Sequence, residues 1–485
     1  MTPDTIYEPA TTEPDTSAFE ATIDAFRSGL RGDLLQPGDA DYDRARLIWN
    51  GMFDKKPALI ARCRGTADVI DTVNFARENG LLTAVRCGGH NVSGSGSCDG
   101  GILIDLSAMS AVHVDPRARR ARVQGGATWG DFDREAQVHG LATPGGLVSA
   151  TGVGGLTLAG GLGWLRGKYG LSLDNLVSVD IVTADGVLRT ASDSENSDLF
   201  WGVRGGGGNF GVITSFEFKV HPVGPTVMFL APIYRAEDAP QVMRGWRDFM
   251  ATAPDEIGGT LVEFSTIPND PEYPEETWGA KVMTLAGVWA GPADEGEEAV
   301  QPLRVLAEPL LDFSGQMAYC DVQRLFDGLF PKGVHHAYFK STYLNGLDDA
   351  MIDEIAPRAA DRPSDLTLCS VWYMGAATSR VPGDATAFGD RDMGWMLSID
   401  AVWEDPAEDR KNLDWARTFW ADMKHHSNGR AYLNFAGFGE EGEELVRTSY
   451  GADNYKRLVE LKTKYDPTNL FRLNQNIKPR GQQAA

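Results

Sequence analysis

The residues best equipped for chemistry sit in a glycine- and serine-rich loop, Arg86–Ser97 (RCGGHNVSGSGS). Glycines and serines that follow a strand let backbone N–H groups converge on an anion, and a pyrophosphate suits such a nest. His90 stands inside this loop with little apolar surface to pack against. It is either a solvated ring or a ring whose nitrogen bonds a cofactor already held by the nest. A second run, Gly145–Gly163, holds eight glycines. Such runs are costly unless something must approach the backbone closely, and a flat multi-ring cofactor is one such thing. A third stretch, Gly206–Gly211 (GGGNFG), fits GxGxxG. It follows a predicted helix and leads into a strand, the reverse of the dinucleotide-binding order, so it reads as a tight turn against a ligand or another strand. No GxxxxGK[ST] motif is present. Near the C-terminus, Asn474 and Asn476 are spaced to share one face of a strand, where their amides could bond a heterocycle.

Composition narrows the partners. The chain has 485 residues, enough for two cores, and 55 of them are glycine, above the usual ~7%. The net charge of −23 argues against nucleic acid or an anionic membrane surface as partner. The five cysteines form no CxxC pair, which fits a reducing, cytoplasmic setting. No stretch approaches the ~18–20 apolar residues of a membrane span. His335-His336 and His425-His426 are adjacent pairs expected to point apart, so no metal site is expected.

The elements that must position these groups follow from periodicity. Residues 1–18 read as a mobile leader, with a helix at about 18–29. From Ala58 the pattern runs strand, helix, strand, with helix 66–79 ending at Gly80. Short strands follow at 102–106, 111–114 and 121–124, then a helix at 128–139. A hairpin at 177–191 turns at Asp185-Gly186. A short helix at 198–203 precedes strand 212–220. Composition shifts near Pro225. Strands are predicted at 227–233, 260–265, 280–289, 366–373 and 396–403, and helices at 238–251, 295–307 and 406–425. The fold class is α+β, with an antiparallel sheet covered by helices on one face. A last helix spans 454–465.

Taken together, RCGGHN from Arg86, GVGGLTLAGGLGW from Gly152, KYGLSLDN from Lys168 and NQNI from Asn474 resemble the flavin-binding pattern of the berberine-bridge-enzyme-like oxidases of the vanillyl-alcohol-oxidase superfamily. The stretch Ile48–Cys63 (IWNGMFDKKPALIARC) is similar to bacterial members of the 6-hydroxynicotine-oxidase type. The resemblance covers about 45–225 and 430–480. It implies a bipartite FAD-binding domain (45–225 and 429–485) with a substrate domain (226–428) inserted, after a leader and helix over 1–44. It implies FAD bonded covalently through His90. The loop residues Cys87, Gly88, Gly89, Asn91, Val92, Ser93 and Ser95 would hold the pyrophosphate. Gly146, Thr151, Gly154, Gly155 and Gly161, with Val212 and Ile213, would line the ring systems, and Asn474 and Asn476 would reach the flavin.

Three departures matter. Val148 stands where many relatives carry a cysteine for a second flavin link, so a single link is expected. Leu156 follows the GVGG turn where some relatives have histidine. Phe435 closes the sequence YLNF, where sugar and alcohol oxidases of the family use a tyrosine as base. The base must then come from elsewhere, with Tyr432, Tyr373 and Asp400 as candidates. The expected reaction is oxidation of a small molecule at a C–H next to an amine or alcohol, with a hydride passing to flavin N5 and O2 as acceptor giving H2O2. Phe435 tilts the substrate toward an amine or a heteroaromatic compound. A flavin dehydrogenase with another acceptor, a sugar or alcohol oxidase of the same fold, and a non-catalytic flavin-binding protein are the alternatives.

Overall fold

The computed structural model describes residues 16–482. Most of the leader expected over 1–18 lies outside that range. The first helix, Thr16–Gly29, starts slightly earlier than predicted.

Three sheets carry the architecture. The first orders strands Asp33–Leu35, Leu59–Arg62, Ile102–Asp105 and Thr83–Arg86; the last three run parallel. Helix Thr66–Glu78 makes the crossover, burying Val69, Val73 and Ala76. The second sheet is antiparallel and orders Val112–Asp115, Arg120–Gln124, Gly211–Lys219, Leu176–Thr183 and Leu188–Ser192. Beside it, helix Trp129–Gln137 begins in a capping box, in which the Thr128 hydroxyl accepts from the Asp131 N–H and the Asp131 carboxylate accepts from the Thr128 N–H.

The third sheet has nine antiparallel strands, all between residues 226 and 403. At its centre lie Lys281–Trp289, Leu261–Thr266, Leu368–Tyr373 and Trp395–Trp403. Helices Ala239–Met250, Ala293–Arg304, Asp349–Ala360 and Asp409–Asp422 contribute to a hydrophobic core with this sheet. The predicted strand 227–233 is two strands, Thr226–Leu230 and Pro232–Arg235. Proline at 232 has no N–H to continue the ladder.

After the third sheet the chain returns to the first two. Helix Ala452–Tyr465 brings the buried Lys462, whose ammonium donates to the Asn209 and Phe471 carbonyls and pairs with Asp466. The segment carrying Asn474 and Asn476 is irregular rather than a strand. Asn209 holds it, donating to the Gln475 carbonyl and accepting from the Ile477 N–H, and Gln475 Nε2 donates to the Leu433 carbonyl. Without a strand's two-residue alternation the two amides need not share a face, and they do not line the same space. Arg166 crosses between the halves, donating to the Gly163, Gly259, Thr260 and Tyr373 carbonyls, with its guanidinium 5.0 Å from the Trp372 ring.

Candidate active site

A cavity of about 360 Å³ opens where the glycine loops of the first two sheets meet the third sheet. That volume is in the range of small-molecule and cofactor sites. The loop after Thr83–Arg86 is fixed from outside. Asn50 donates to the Val92 and Ala337 carbonyls and accepts from the Ala337 N–H, tying the loop to the strand His336–Leu344. Lys55 donates to the Gly94 and Ser97 carbonyls. The two glycine loops pack backbone to backbone: a Cβ on Gly88 would fall 2.5 Å from the Gly152 nitrogen, and one on Gly152 would fall 2.4 Å from Cys87 Sγ. Much of the glycine clustering therefore serves loop-on-loop contact.

Other glycines leave room for a ligand. Gly155 has nothing within 4 Å of where a Cβ would stand, and Gly207 and Gly208 meet only amide nitrogens, at 3.8 and 3.6 Å. All three line the cavity. Asn474 also lines it, with a buried Oδ1 that lacks a protein partner. A backbone cradle plus an unpartnered amide oxygen fits a planar, hydrogen-bonding cofactor such as a flavin.

Of the expected cofactor residues, Cys87, Gly88, Gly89, His90, Asn91, Val92, Ser95, Gly146, Thr151, Gly154, Gly155, Val212, Ile213 and Asn474 line this cavity. Ser93, Gly161 and Asn476 do not. Ser93 instead donates to Asn91 Oδ1, and Gly161 donates its N–H to the Tyr432 hydroxyl. His90 stacks on the Trp49 indole (centroids 5.7 Å apart), and its Nδ1 lies 3.5 Å from the Thr151 hydroxyl. Burial pushes its imidazole down to about 4, so the ring is neutral at pH 7 with a free lone pair.

The third sheet supplies the rest of the wall. On strand Trp395–Trp403, Asp400 is buried and lines the cavity; burial raises its carboxyl to about 8, and Ser398 donates to it. Glu263, on Leu261–Thr266, lines it too, raised by burial to about 7. The Tyr432 hydroxyl accepts from Gly161 N–H (3.1 Å) and Asn434 Nδ2 (2.8 Å), which leaves its own hydrogen to donate. Tyr373, the third candidate base, is misplaced by strand parity. Its neighbour Trp372 lines the cavity, while Tyr373 packs edge-on against Trp395 in the core under the helices. Sequence reasoning missed Glu263 and the rings Trp49, Phe326, Phe330, Phe339 and Trp372. The sign for Glu263 is a lone charged residue among Leu261, Val262 and Phe264 in the strand LVEFST.

The histidine pair 425–426 also differs from expectation. The rings converge, with centroids 3.9 Å apart, and both lie near the Glu354 carboxylate. His425 is turned back by an Nδ1 contact with the Asp422 carbonyl. This group lies outside the cavity lining.

Raised carboxyls make stability fall with pH. Asp133, with only Gln323 as partner, is raised by burial to about 7, beside Glu263 at about 7 and Asp400 at about 8. Their unfolded values are near 4, so the folded state binds more protons up to their folded pKa values. His90 and His221, lowered to about 4 by burial, act oppositely, but only below about 6.5. The melting temperature is expected to fall between about pH 6.5 and 8, each carboxyl giving up to about 1.4 kcal/mol per pH unit. Scanning calorimetry across that range checks it, and Asp133→Asn should flatten the slope.

Residues 57–192 match a family model described as FAD binding domain, and residues 431–478 match one described as Berberine and berberine like. These stretches carry most of the glycine wall and the returning C-terminal segment, and they define an FAD-dependent oxidoreductase. The chain is 32% identical over 475 residues to (R)-6-hydroxynicotine oxidase of Paenarthrobacter nicotinovorans, covering 93% of this chain and 98% of that protein. It is 28% identical to xylooligosaccharide oxidase of Thermothelomyces thermophilus, with 95% of each chain covered. The crystal structure of 6-hydroxy-D-nicotine oxidase from Arthrobacter nicotinovorans matches with a TM-score of 0.82 at 29% identity, over 93% of this chain and 98% of that one. The chain belongs to the berberine-bridge-enzyme-like FAD-linked oxidases, with their bipartite FAD-binding domain and inserted substrate domain. It is an FAD-dependent oxidase of a small organic molecule. Among the described residues no helix is long and apolar enough to cross a membrane.

Proposed function

We propose that the cavity holds FAD through a single covalent bond to His90 and oxidises a small amine at the C–H beside its nitrogen. The observation that carries this reading is that a buried carboxyl, Asp400, opens into the same cavity as His90 and the glycine cradle. When bound, FAD supplies the hydride acceptor for the oxidation and the route of the electrons to O2, with release of H2O2.

The residues have distinct tasks. The backbone of Cys87–Val92, with Ser95, would hold the pyrophosphate. The neutral imidazole of His90 offers the lone pair that the covalent bond needs. Cys87 forms no second link: its Sγ donates to the Ala127 carbonyl at 3.3 Å, and burial raises its thiol to about 11. Val148, which also lines the cavity, has no group to make one. Asp400 accepts the proton that leaves the substrate nitrogen; a carboxyl near 8 is poised for that exchange near neutral pH. Tyr432 donates its remaining hydrogen into the cavity and orients the substrate. Phe435 packs edge-on against Tyr432 and Phe339, so the position offers a wall rather than a base.

An amine suits this set better than a sugar, because Phe435 carries no hydroxyl and the other lining tyrosine, Tyr450, already donates its hydrogen to the Gly205 carbonyl. All five cysteines are free, which agrees with a cytoplasmic setting. The acceptor is tested by stopped flow: substrate-reduced protein mixed with air-saturated buffer should reoxidise within seconds, with H2O2 equal to substrate consumed. Reoxidation over minutes, or without peroxide, would assign a dehydrogenase instead.

A further inference from the structure

Among the described residues, the substrate wall holds two buried carboxyls and no unpaired cation. Glu263 and Asp400 face the cavity from strands that flank Leu368–Tyr373 on either side. Register places Glu263 opposite Ser370, and Ser370 opposite Ser398; the hydroxyl of Ser370 lies 3.4 Å from Glu263 Oε2, and that of Ser398 donates to Asp400. The two carboxyls share one face of the sheet, two strands and two residues of register apart, with the Ser370 and Ser398 hydroxyls between them. Two buried acids facing one cavity both ionise only when something positive joins them; otherwise burial keeps them protonated. The cavity's one arginine, Arg86, is engaged with Asp105 at 2.7 Å.

The other groups around the pair supply no neutralising partner in contact. Arg362 lowers Glu263 from a distance, while its own nitrogens donate to the Ala359 carbonyl and Thr266 hydroxyl. The Cys369 thiol, behind the sheet, stays protonated, raised by burial. Strand His336–Leu344 presents Phe339 to the cavity, and its Lys340 pairs with Glu441. Trp372 and Phe330 add aromatic faces, which attract cations.

We propose that Glu263 and Asp400 together form an anionic subsite for the substrate's charged nitrogen, so that the substrate is an amine that arrives protonated. This rests on the cavity being the substrate site. The ammonium gives one proton to the ionised Asp400: its N–H bond breaks, an O–H bond forms, and the neutral amine that remains can lose hydride from the adjacent carbon. Glu263 keeps its charge and faces the positive charge that then grows on nitrogen.

The test needs no turnover. Isothermal titration of the yellow holoenzyme at pH 7 compares benzyltrimethylammonium, which has no proton to lose, with uncharged benzyl methyl ether. The cation is expected to bind about ten-fold more tightly or better, and to release about one proton, read from buffers of different ionisation enthalpy. Glu263→Gln, with flavin content unchanged, should erase that preference while leaving the ether's affinity alone, and Glu263→Asp should restore most of it. Equal binding of cation and ether by the wild-type enzyme, or a preference that survives Glu263→Gln, would overturn the proposal. Cation binding without oxidation of any amine would remove the proposed activity and leave the subsite. Oxidation of an amine by an enzyme indifferent to the cation would do the reverse.

Discussion

Acid-precipitated wild-type protein is expected to stay yellow, and His90→Ala protein to give a colourless pellet and a yellow supernatant. On a denaturing gel the flavin fluorescence at chain mass should go from full occupancy to none. The reason is geometric and electronic. His90 is the one histidine that lines the cavity, and burial leaves its imidazole neutral. The cradle itself does not depend on that ring: Gly88 and Gly152 meet backbone to backbone, and Asn50 and Lys55 hold the loop from outside. The variant should therefore fold and bind FAD that denaturation releases. Flavin still attached to the chain in His90→Ala would assign the bond to another residue.

The second large effect belongs to Asp400. Asp400→Asn keeps the shape and the Ser398 hydrogen bond but cannot accept a proton. It should lower kcat/KM by about 10²–10⁴-fold, the usual span for loss of a positioned base. The pH profile distinguishes this from a packing defect. In the wild-type enzyme kcat/KM should rise with pH and level off above about 8, where Asp400 is ionised. In Asp400→Asn that limb should vanish while flavin content holds and the melting temperature does not fall below that of the wild type. A variant that is slow but keeps the limb would place the base elsewhere. Tyr432→Phe should cost less, because it removes a hydrogen bond to the substrate and not the proton acceptor.

What could be read from sequence follows the local physics. The cofactor loop was legible because glycine, serine and histidine types state their backbone and lone-pair chemistry at once. Helix Trp129–Gln137 falls within the predicted 128–139, and the structure adds that Thr128 caps it, with its acid three residues on. The substrate wall was harder. Strand His336–Leu344 (HAYFKSTYL) is buried on both faces, so it shows no alternation, and Lys340 hides an inward-facing position by pairing with Glu441. Helix Asp349–Ala360 carries Pro357, which reads as a break although it stands in the last turn. Tyr373 is a candidate base for its hydroxyl, and only the folded strand shows that its neighbour Trp372 faces the cavity instead. Asn474 and Asn476 were read as a strand pair, but what shapes that segment is Asn209, more than 260 residues earlier in the chain.

The most direct measurement is an anaerobic titration of the purified yellow protein with matched panels of primary and secondary amines, alcohols and oligosaccharides, following the oxidised flavin band. At least one amine should bleach that band fully at one equivalent per flavin, with the sugars inert. Bleaching by sugars while every amine leaves the spectrum unchanged would contradict the reading of this cavity as an amine oxidase site.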